Sequence, residues 1–233
     1  MTTTRLDGHA PEITRHDTEW CDGAFDHGPR SAFNAWFFAA FDRYINFVAR
    51  AHKRRAFEGL GSGPVLEIGA GVGANFHHIP PGTVVHAVEP NLRMHDQLRR
   101  RARDHGIHLA LIAGGAEQIP LPDASVDDVI ASLVLCTVSD PARVLDEVRR
   151  ILRPGGTFRF VEHVQAPRWG VRRAVQRAIR RPWGWVFEGC DPTRRTTTLV
   201  EQAGFSHLTV RRRKLSASLF YPVNTAVWGV ATR

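Results

Sequence analysis

The chain has 233 residues, 43% apolar and 23% charged, with a formal net charge of +8. That length suits one domain with its own core, and the composition excludes disordered and collagen-like classes. The most apolar run, residues 35–41, stops at Asp42 and Arg43, far short of a membrane span, and residues 1–15 hold no signal-peptide core. Cys21, Cys136 and Cys190 are too few and too widely spaced for a disulfide framework or a zinc site, so no metal is expected and a reducing, cytoplasmic setting is implied.

All but Lys53 and Lys214 of the 31 basic residues are arginine. The excess is concentrated in Arg168, Arg172, Arg173, Arg177, Arg180 and Arg181, with no acid among them, and again in residues 211–214. Such charge permits contact with nucleic acid or a membrane surface. No nucleic-acid-binding motif accompanies it, so no nucleic-acid partner is expected, while peripheral contact with a membrane surface stays open. The oligomeric state is not legible.

In chain order, residues 1–30 are polar with glycine and proline and read as a flexible or draped arm. Residues 31–233 form a single domain. Its first part, 31–58, is a helical cap: Phe33, Trp36, Phe37, Ala40, Phe41, Tyr44, Ile45 and Val48 recur at three–four spacing, with Ser31 as the N-cap. After a glycine-rich break at 59–64, strands and helices alternate. Strands are read at 64–68, 84–88, 109–113, 126–132 and 157–162, and helices after the first strand, at 92–104 and at 141–152. This alternation means a parallel sheet covered on both faces. A helix follows at 193–203. The two last strands, 207–215 and 224–233, are too close for a crossover helix and pair antiparallel.

Glu67-Ile68-Gly69-Ala70-Gly71-Val72-Gly73 follows the first strand and is expected to open a helix. Glycines there let the backbone turn sharply and approach a ligand. Glu89, twenty residues after Gly69 at the end of the second strand, is placed to accept hydrogen bonds from ribose hydroxyls. Gly69-x-Gly71-x-x-Ala74 also satisfies the dinucleotide fingerprint. Two features favour a cofactor without pyrophosphate. Glu67 would repel a pyrophosphate but suits an ammonium or sulfonium, and the terminal hairpin is unlike the parallel finish of a dinucleotide fold.

These residues resemble the class I S-adenosylmethionine-dependent methyltransferases. The carriers are the 67–73 loop, Glu89-Pro90-Asn91, Gly115-Ala116-Glu117, the segment 119–127 and Leu152-Arg153-Pro154-Gly155-Gly156. The resemblance implies an α/β Rossmann-like fold with a seven-stranded sheet of order 3-2-1-4-5-7-6, the seventh strand antiparallel and helices on both faces. It implies S-adenosyl-L-methionine as cofactor, held by Glu67, Gly69, Ala70, Gly71, Gly73, Glu89, Pro90, Ala116, Glu117 and Leu133. The loop would face the methionine part, Glu89 the ribose, Ala116 and Glu117 the adenine, and residues 133–137 would floor the site. Residues 133–138, Glu162-His163-Val164, 187–194 and the aromatic helix further resemble the alkyl-thiol methyltransferases and their bacterial relatives. That likeness implies a small apolar thiol as acceptor, the alternative being the O, N or C atom of a quinone, lipid or secondary metabolite. The animal members carry an N-terminal hydrophobic anchor, where this chain has a polar arm.

His163, at the end of the fifth strand, is a candidate base for the acceptor proton or a hydrogen-bonded structural histidine. Asp191 is a helix N-cap or a substrate contact. Cys136 reads as a small buried hydrophobe. The segment 164–192 is a lid-like insertion, apolar at Trp169, Val171, Ala174, Val175, Ala178, Ile179 and Trp183 with arginines opposite, which covers the core or lies on a membrane surface. A nicotinamide oxidoreductase would need a Tyr/Lys pair that is not evident. A non-catalytic adenosyl-ligand sensor differs from an enzyme only in turnover.

Overall fold

A computed structural model describes residues 18–167, 170–215 and 218–233. The strands are β1 (Thr18–Trp20), β2 (Val65–Ile68), β3 (Val84–Val88), β4 (His108–Ala113), β5 (Val126–Ser132), β6 (Leu152–His163), β7 (His207–Lys214) and β8 (Thr225–Thr232). The helices are α1 (Pro29–Phe57), α2 (His95–Asp104), α3 (Pro141–Ile151), α4 (Val171–Val186) and α5 (Thr196–Gln202). One sheet runs in the order β1-β4-β3-β2-β5-β6-β8-β7. It is parallel except at β8, which lies antiparallel to both β6 and β7. The expected order and hairpin are present, with one strand more than the seven expected.

That extra strand comes from the arm. Its residues 1–17 lie outside the described residues, but Thr18–Trp20 pairs with Leu111, Ile112 and Ala113 at the sheet edge. Cys21 N then donates to Ala113 O (3.0 Å) and Phe25 N to Pro90 O (2.8 Å), drawing the arm across the carboxyl ends of the strands.

The strands read as apolar runs because both faces are covered. Alternate residues divide between two cores. Leu66, Ile68, Val129 and Ala131 pack with Val144, Leu145 and Val148 of α3 and Val200 of α5. Val65, Val85, Ala87 and Ile130 pack with Ala56 and Phe57 of α1 and Leu98 and Ala102 of α2. Asp140 caps α3, its carboxylate accepting from Ala142 N and Arg143 N, and Pro141 occupies the first turn, where a missing N–H costs nothing.

Four boundaries differ from expectation. The glycine loop opens no α-helix: Gly71 and Gly73 hold φ of 57° and 80°, and only a 3₁₀ turn, Phe76–His78, forms before Pro80 and Pro81. Ser31 does not cap α1. Gly28 holds that position, and Ser31 lies in the first turn, its hydroxyl accepting from His27 N. Helix α5 starts at Thr196, not 193. Strand β6 begins at Leu152, because the 152–156 turn joins the sheet.

The apolar stripe on α1 is also not its buried face. Phe33 and Trp36 are 40% and 59% exposed, whereas Ser31, Asn34, Asp42, His52 and Lys53 are buried. This helix presents polar groups and part of the stripe, Phe37, Tyr44, Ile45 and Val48, to the site, with Phe33 and Trp36 turned outward. On α4 only Gln176 is fully buried, where its amide pins Ala166 N and Pro222 O. Of the segment's expected apolar face, Trp169 lies outside the described residues, as does Arg168.

Candidate functional site

The carboxyl ends of β2, β3, β5 and β6 converge on a cavity of about 440 Å³. In a doubly covered parallel sheet this is where ligands bind. Leaving β2, Gly69 has a φ of 62°, and a Cβ there would lie 2.4 Å from Val134 Cγ2. Only glycine fits that approach between two loops. The turn is tied to β3: Ala70 N donates to Val88 O (3.1 Å), and Gly71 N donates to Glu89 Oε2 (2.7 Å). The other Glu89 oxygen accepts from Asn91 N (2.8 Å). Burial pushes the Glu89 carboxyl up to about 7, against the pull of those two amides. Glu89 therefore holds the glycine loop in shape and keeps lone pairs for a ligand.

Behind the loop lies a buried polar corner. Glu67 is wholly buried, and its Oε1 accepts from Asn75 Nδ2 (2.7 Å). Glu67 Oε2 and Asn75 Oδ1 have no partner among the described residues. Burial lifts the Glu67 carboxyl to about 7. Lys53 enters from α1, buried, donating Nζ to Asn46 Oδ1 (2.6 Å), and burial lowers its pKa to about 8. Asp42 stands beside it, paired with Arg101 (2.9 Å). Two orphaned acceptors cost free energy unless a donor arrives. An ammonium group bearing several N–H donors fits this corner. Lys53 and Asp42 went unread in the sequence, although Asp42, Asn46 and Lys53 fall on one helical face and would have drawn a polar stripe.

At the far end of the cavity, Gly115 and Ala116 line the wall beside Pro90. Glu117 also lines it, but its carboxylate fastens a turn: Oε1 accepts from Ser139 N (2.9 Å), Ser139 Oγ (2.6 Å) and Asp140 N (3.2 Å). Burial pushes that carboxyl up, and these hydrogen bonds outweigh it, leaving the pKa below its ordinary value. Leu133 floors the cavity in the left-handed region, at φ 61°. A non-glycine residue pays strain there. Glu162 holds it in place from beneath, Oε1 accepting from both Val134 N and Leu135 N (2.9 Å each). Gly69, Ala70, Gly71, Glu89, Pro90, Ala116, Glu117 and Leu133 thus all line one cavity, whereas Gly73 and Glu67 stand a layer behind it. Gly73 keeps the loop clear of Phe76, whose ring a Cβ would meet at 2.9 Å.

The rest of the cavity is aromatic. Phe37 and Phe38 of α1, Trp183 and Phe187 of the lid, and Phe220 line it, with Phe37 packed edge-on against Phe187 (5.3 Å) and Phe220 (5.8 Å). The lid is latched to α1. Asn34 Nδ2 donates to Val186 O (2.8 Å). Glu188 accepts from Ser31 Oγ (2.7 Å) and Asn91 Nδ2 (3.1 Å). His163 lines this chamber, with Nε2 3.1 Å from Cys190 Sγ and Nδ1 buried with no partner among the described residues. Burial opposes its imidazolium, while Cys136, Glu162 and Asp191 favour it and leave the pKa raised. Asp191 is outside the lining and does not cap α5. It closes a turn on Thr193 N (2.8 Å) and pairs with Arg180 (2.9 Å). Nor are the cysteines isolated, as their spacing suggested, because the fold sets Cys190 Sγ 3.7 Å from Cys136 Sγ.

Comparison with known proteins agrees with this geometry. Residues 66–160 match the family model described as a methyltransferase domain. The chain is 38% identical over 148 residues to the thiol S-methyltransferase TMT1B of Rattus norvegicus, covering 62% of this chain and 60% of that protein. It is 35% identical over 187 residues to the thiol S-methyltransferase TMT1A of Homo sapiens, covering 76% of each. A crystal structure of an S-adenosylmethionine-dependent methyltransferase from Mesorhizobium loti superposes with a TM-score of 0.59 at 21% identity, covering 80% of this chain and 98% of that one, and shows the shared fold. The orphaned acceptors, the glycine cradle and Glu89 suit the cofactor of that family, and the chain belongs to the S-adenosylmethionine-dependent methyltransferases.

Proposed function

We propose that this methyltransferase modifies the sulfur of a small apolar thiol. The observation that carries the reading is that the carboxylates bordering the aromatic chamber are all committed. Among those that line the cavity, Asp42 pairs with Arg101, Glu89 serves the amides of Gly71 and Asn91, Glu117 serves Ser139 and Asp140, and Glu188 serves Ser31 and Asn91. An alcohol acceptor would need a strong base at this point. A thiol ionises at about pH 8–10 and needs much less help. The two named relatives support the same reading, since both are described as thiol S-methyltransferases.

Bound at the glycine loop, S-adenosylmethionine supplies an electrophilic methyl group on a sulfonium. Asn75 would receive its ammonium with Glu67 behind it, and Glu89 would receive its ribose hydroxyls. Leu133, Val134 and the latched lid exclude water, and the aromatic faces favour the sulfonium charge. Alignment of two reactants in such a chamber is worth ~7–11 kcal/mol. The test is turnover of labelled cofactor with matched butyl thiol, alcohol and amine. The thiol is expected to react, with the alcohol at about 1% of its rate or below. Inert thiols beside an active phenol or amine would end the thiol reading.

We also infer peripheral contact with anionic membranes. Among the described residues no helix is long and apolar enough to cross a membrane. Trp36, Phe47, Trp185 and Leu219 are exposed around the roof of the site. Arginines accompany the exposed rings: Arg30 with Trp185 (6.0 Å), Arg50 with Phe47 (4.5 Å) and Arg172 with Tyr221 (5.0 Å). Rings and cations together suit an interfacial surface. Sedimentation with anionic vesicles is expected at about 50 mM salt and is lost by about 500 mM. Salt-insensitive binding to neutral vesicles would point instead to hydrophobic insertion.

A further inference from the structure

We propose that Cys136, His163 and Cys190 form a three-ligand Zn²⁺ site whose fourth position takes the acceptor thiol. The second half of this proposal rests on the thiol reading above. The three residues come from separate elements: the loop after β5, the end of β6 and the lid. They are 1%, 4% and 8% exposed. Their ligand atoms all lie within 4.8 Å of one another.

The spacing fits zinc. Bonds of ~2.3 Å from a tetrahedral ion set two sulfurs ~3.7–3.8 Å apart, and the Cys136 and Cys190 sulfurs are 3.7 Å apart. His163 Nε2 is 3.1 Å from Cys190 Sγ, so that pair opens by a few tenths of an ångström to admit the ion. Without a metal this histidine is poorly used: Nε2 meets only sulfur, and Nδ1 is buried with no partner among the described residues. The supports of a ligand set are present. Trp183 Nε1 donates to Cys190 Sγ (3.2 Å), and Cys136 O accepts from Asp191 N (2.9 Å). Outer contacts of this kind orient ligands and tune the ion.

Three protein ligands and one open position is the pattern of reactive rather than structural zinc. His163 and Cys190 line the aromatic chamber, so the open position faces the acceptor. Two thiolates and a neutral imidazole leave the ion neutral overall, and an acceptor thiolate makes the centre singly negative. Each cysteine gives its proton to solvent as its S–Zn bond forms, and the acceptor thiol does the same when it takes the fourth position. A zinc-bound thiol is deprotonated outright. The chamber then needs no general base, which is what its committed carboxylates require.

The test uses the full chain, fully reduced, titrated with Zn²⁺ and with Co²⁺ as a spectroscopic substitute. One Co²⁺ per chain is expected, with thiolate-to-cobalt bands in the near ultraviolet and intense tetrahedral bands in the visible. Adding 1-butanethiol should shift the visible bands. Cys136→Ser and Cys190→Ser should each weaken Zn²⁺ binding by about 100-fold, while S-adenosylhomocysteine affinity, measured in parallel, shows that the variants are folded. The site is overturned if counted free thiols are intact and neither ion binds at micromolar concentration, or if the double serine variant binds as well as the parent. A disulfide between Cys136 and Cys190 that resists metal uptake after reduction overturns it too. Unshifted cobalt bands overturn the fourth-position claim. The two readings fail separately. Thiol turnover by zinc-free protein removes the metal and leaves the function, and metal binding without thiol turnover does the reverse.

Discussion

Replacing Glu89 by alanine is expected to weaken S-adenosylhomocysteine binding by about 2–4 kcal/mol, some 30- to 1,000-fold. The carboxylate does two things. It offers lone pairs to ribose hydroxyls, and it holds Gly71 N at 2.7 Å and Asn91 N at 2.8 Å. Alanine removes both, leaving two backbone donors of the cofactor cradle without their acceptor. Glu89→Gln keeps one carbonyl acceptor and should fall between the parent and Glu89→Ala. The raised carboxyl, at about 7, adds a pH signature. Ligand donors favour the ionised form, so binding near neutrality should release protons and tighten as pH rises from 6 to 8. Calorimetry in buffers of different ionisation enthalpy reads both effects. An unchanged affinity in Glu89→Ala would remove Glu89 from the site.

The sheet order and the cofactor loop were legible because they rest on local signals. Short apolar runs spaced by helices fix a parallel sheet, and glycines at Gly69 and Gly71 mark where backbone must approach a ligand. Less legible was whatever depends on contacts between distant segments. No local pattern reveals that Thr18–Trp20 adds to the sheet edge, since three residues of strand carry no periodicity. The loop after β2 reads as a helix start, but three glycines with positive φ within five residues keep the chain from entering one. Glu117 and Asp191 were placed by motif, and in the fold their carboxylates close turns. Lys53 and Asp42 were missed because a polar group on an otherwise aromatic helix looks solvent-facing until the helix lies over the site. Cys136 and Cys190, 54 residues apart, meet only through the lid.

Glu162 is where removing a single side chain should cost the most stability. It is wholly buried, and one of its oxygens accepts from both Val134 N and Leu135 N beneath the strained Leu133. Glu162→Ala leaves two buried donors unpaired and is expected to cost about 2–4 kcal/mol of unfolding free energy. The floor of the cofactor cavity should loosen with it. Glu162→Gln is expected to behave differently. Burial raises the Glu162 carboxyl to about 7, so below that pH the side chain is already neutral, and a glutamine carbonyl serves the same two amides. The sign of the pH dependence follows. A carboxyl whose folded pKa lies above its unfolded value contributes stability that is complete below about 4.5 and is lost as pH climbs through about 7. Glu67 and Glu89 share that direction, whereas burial lowers the pKa of His52, His77, His78, His86 and His95, and these oppose it. Glu162→Gln should match the parent at pH 5 and exceed it at pH 8, because one of the three carboxyl ionisations is gone. Glu162→Ala should be weaker at both. Denaturant unfolding at the two pH values decides the matter: if glutamine costs as much as alanine at pH 5, Glu162 works there as an anion, its burial compensated by the neighbouring His163.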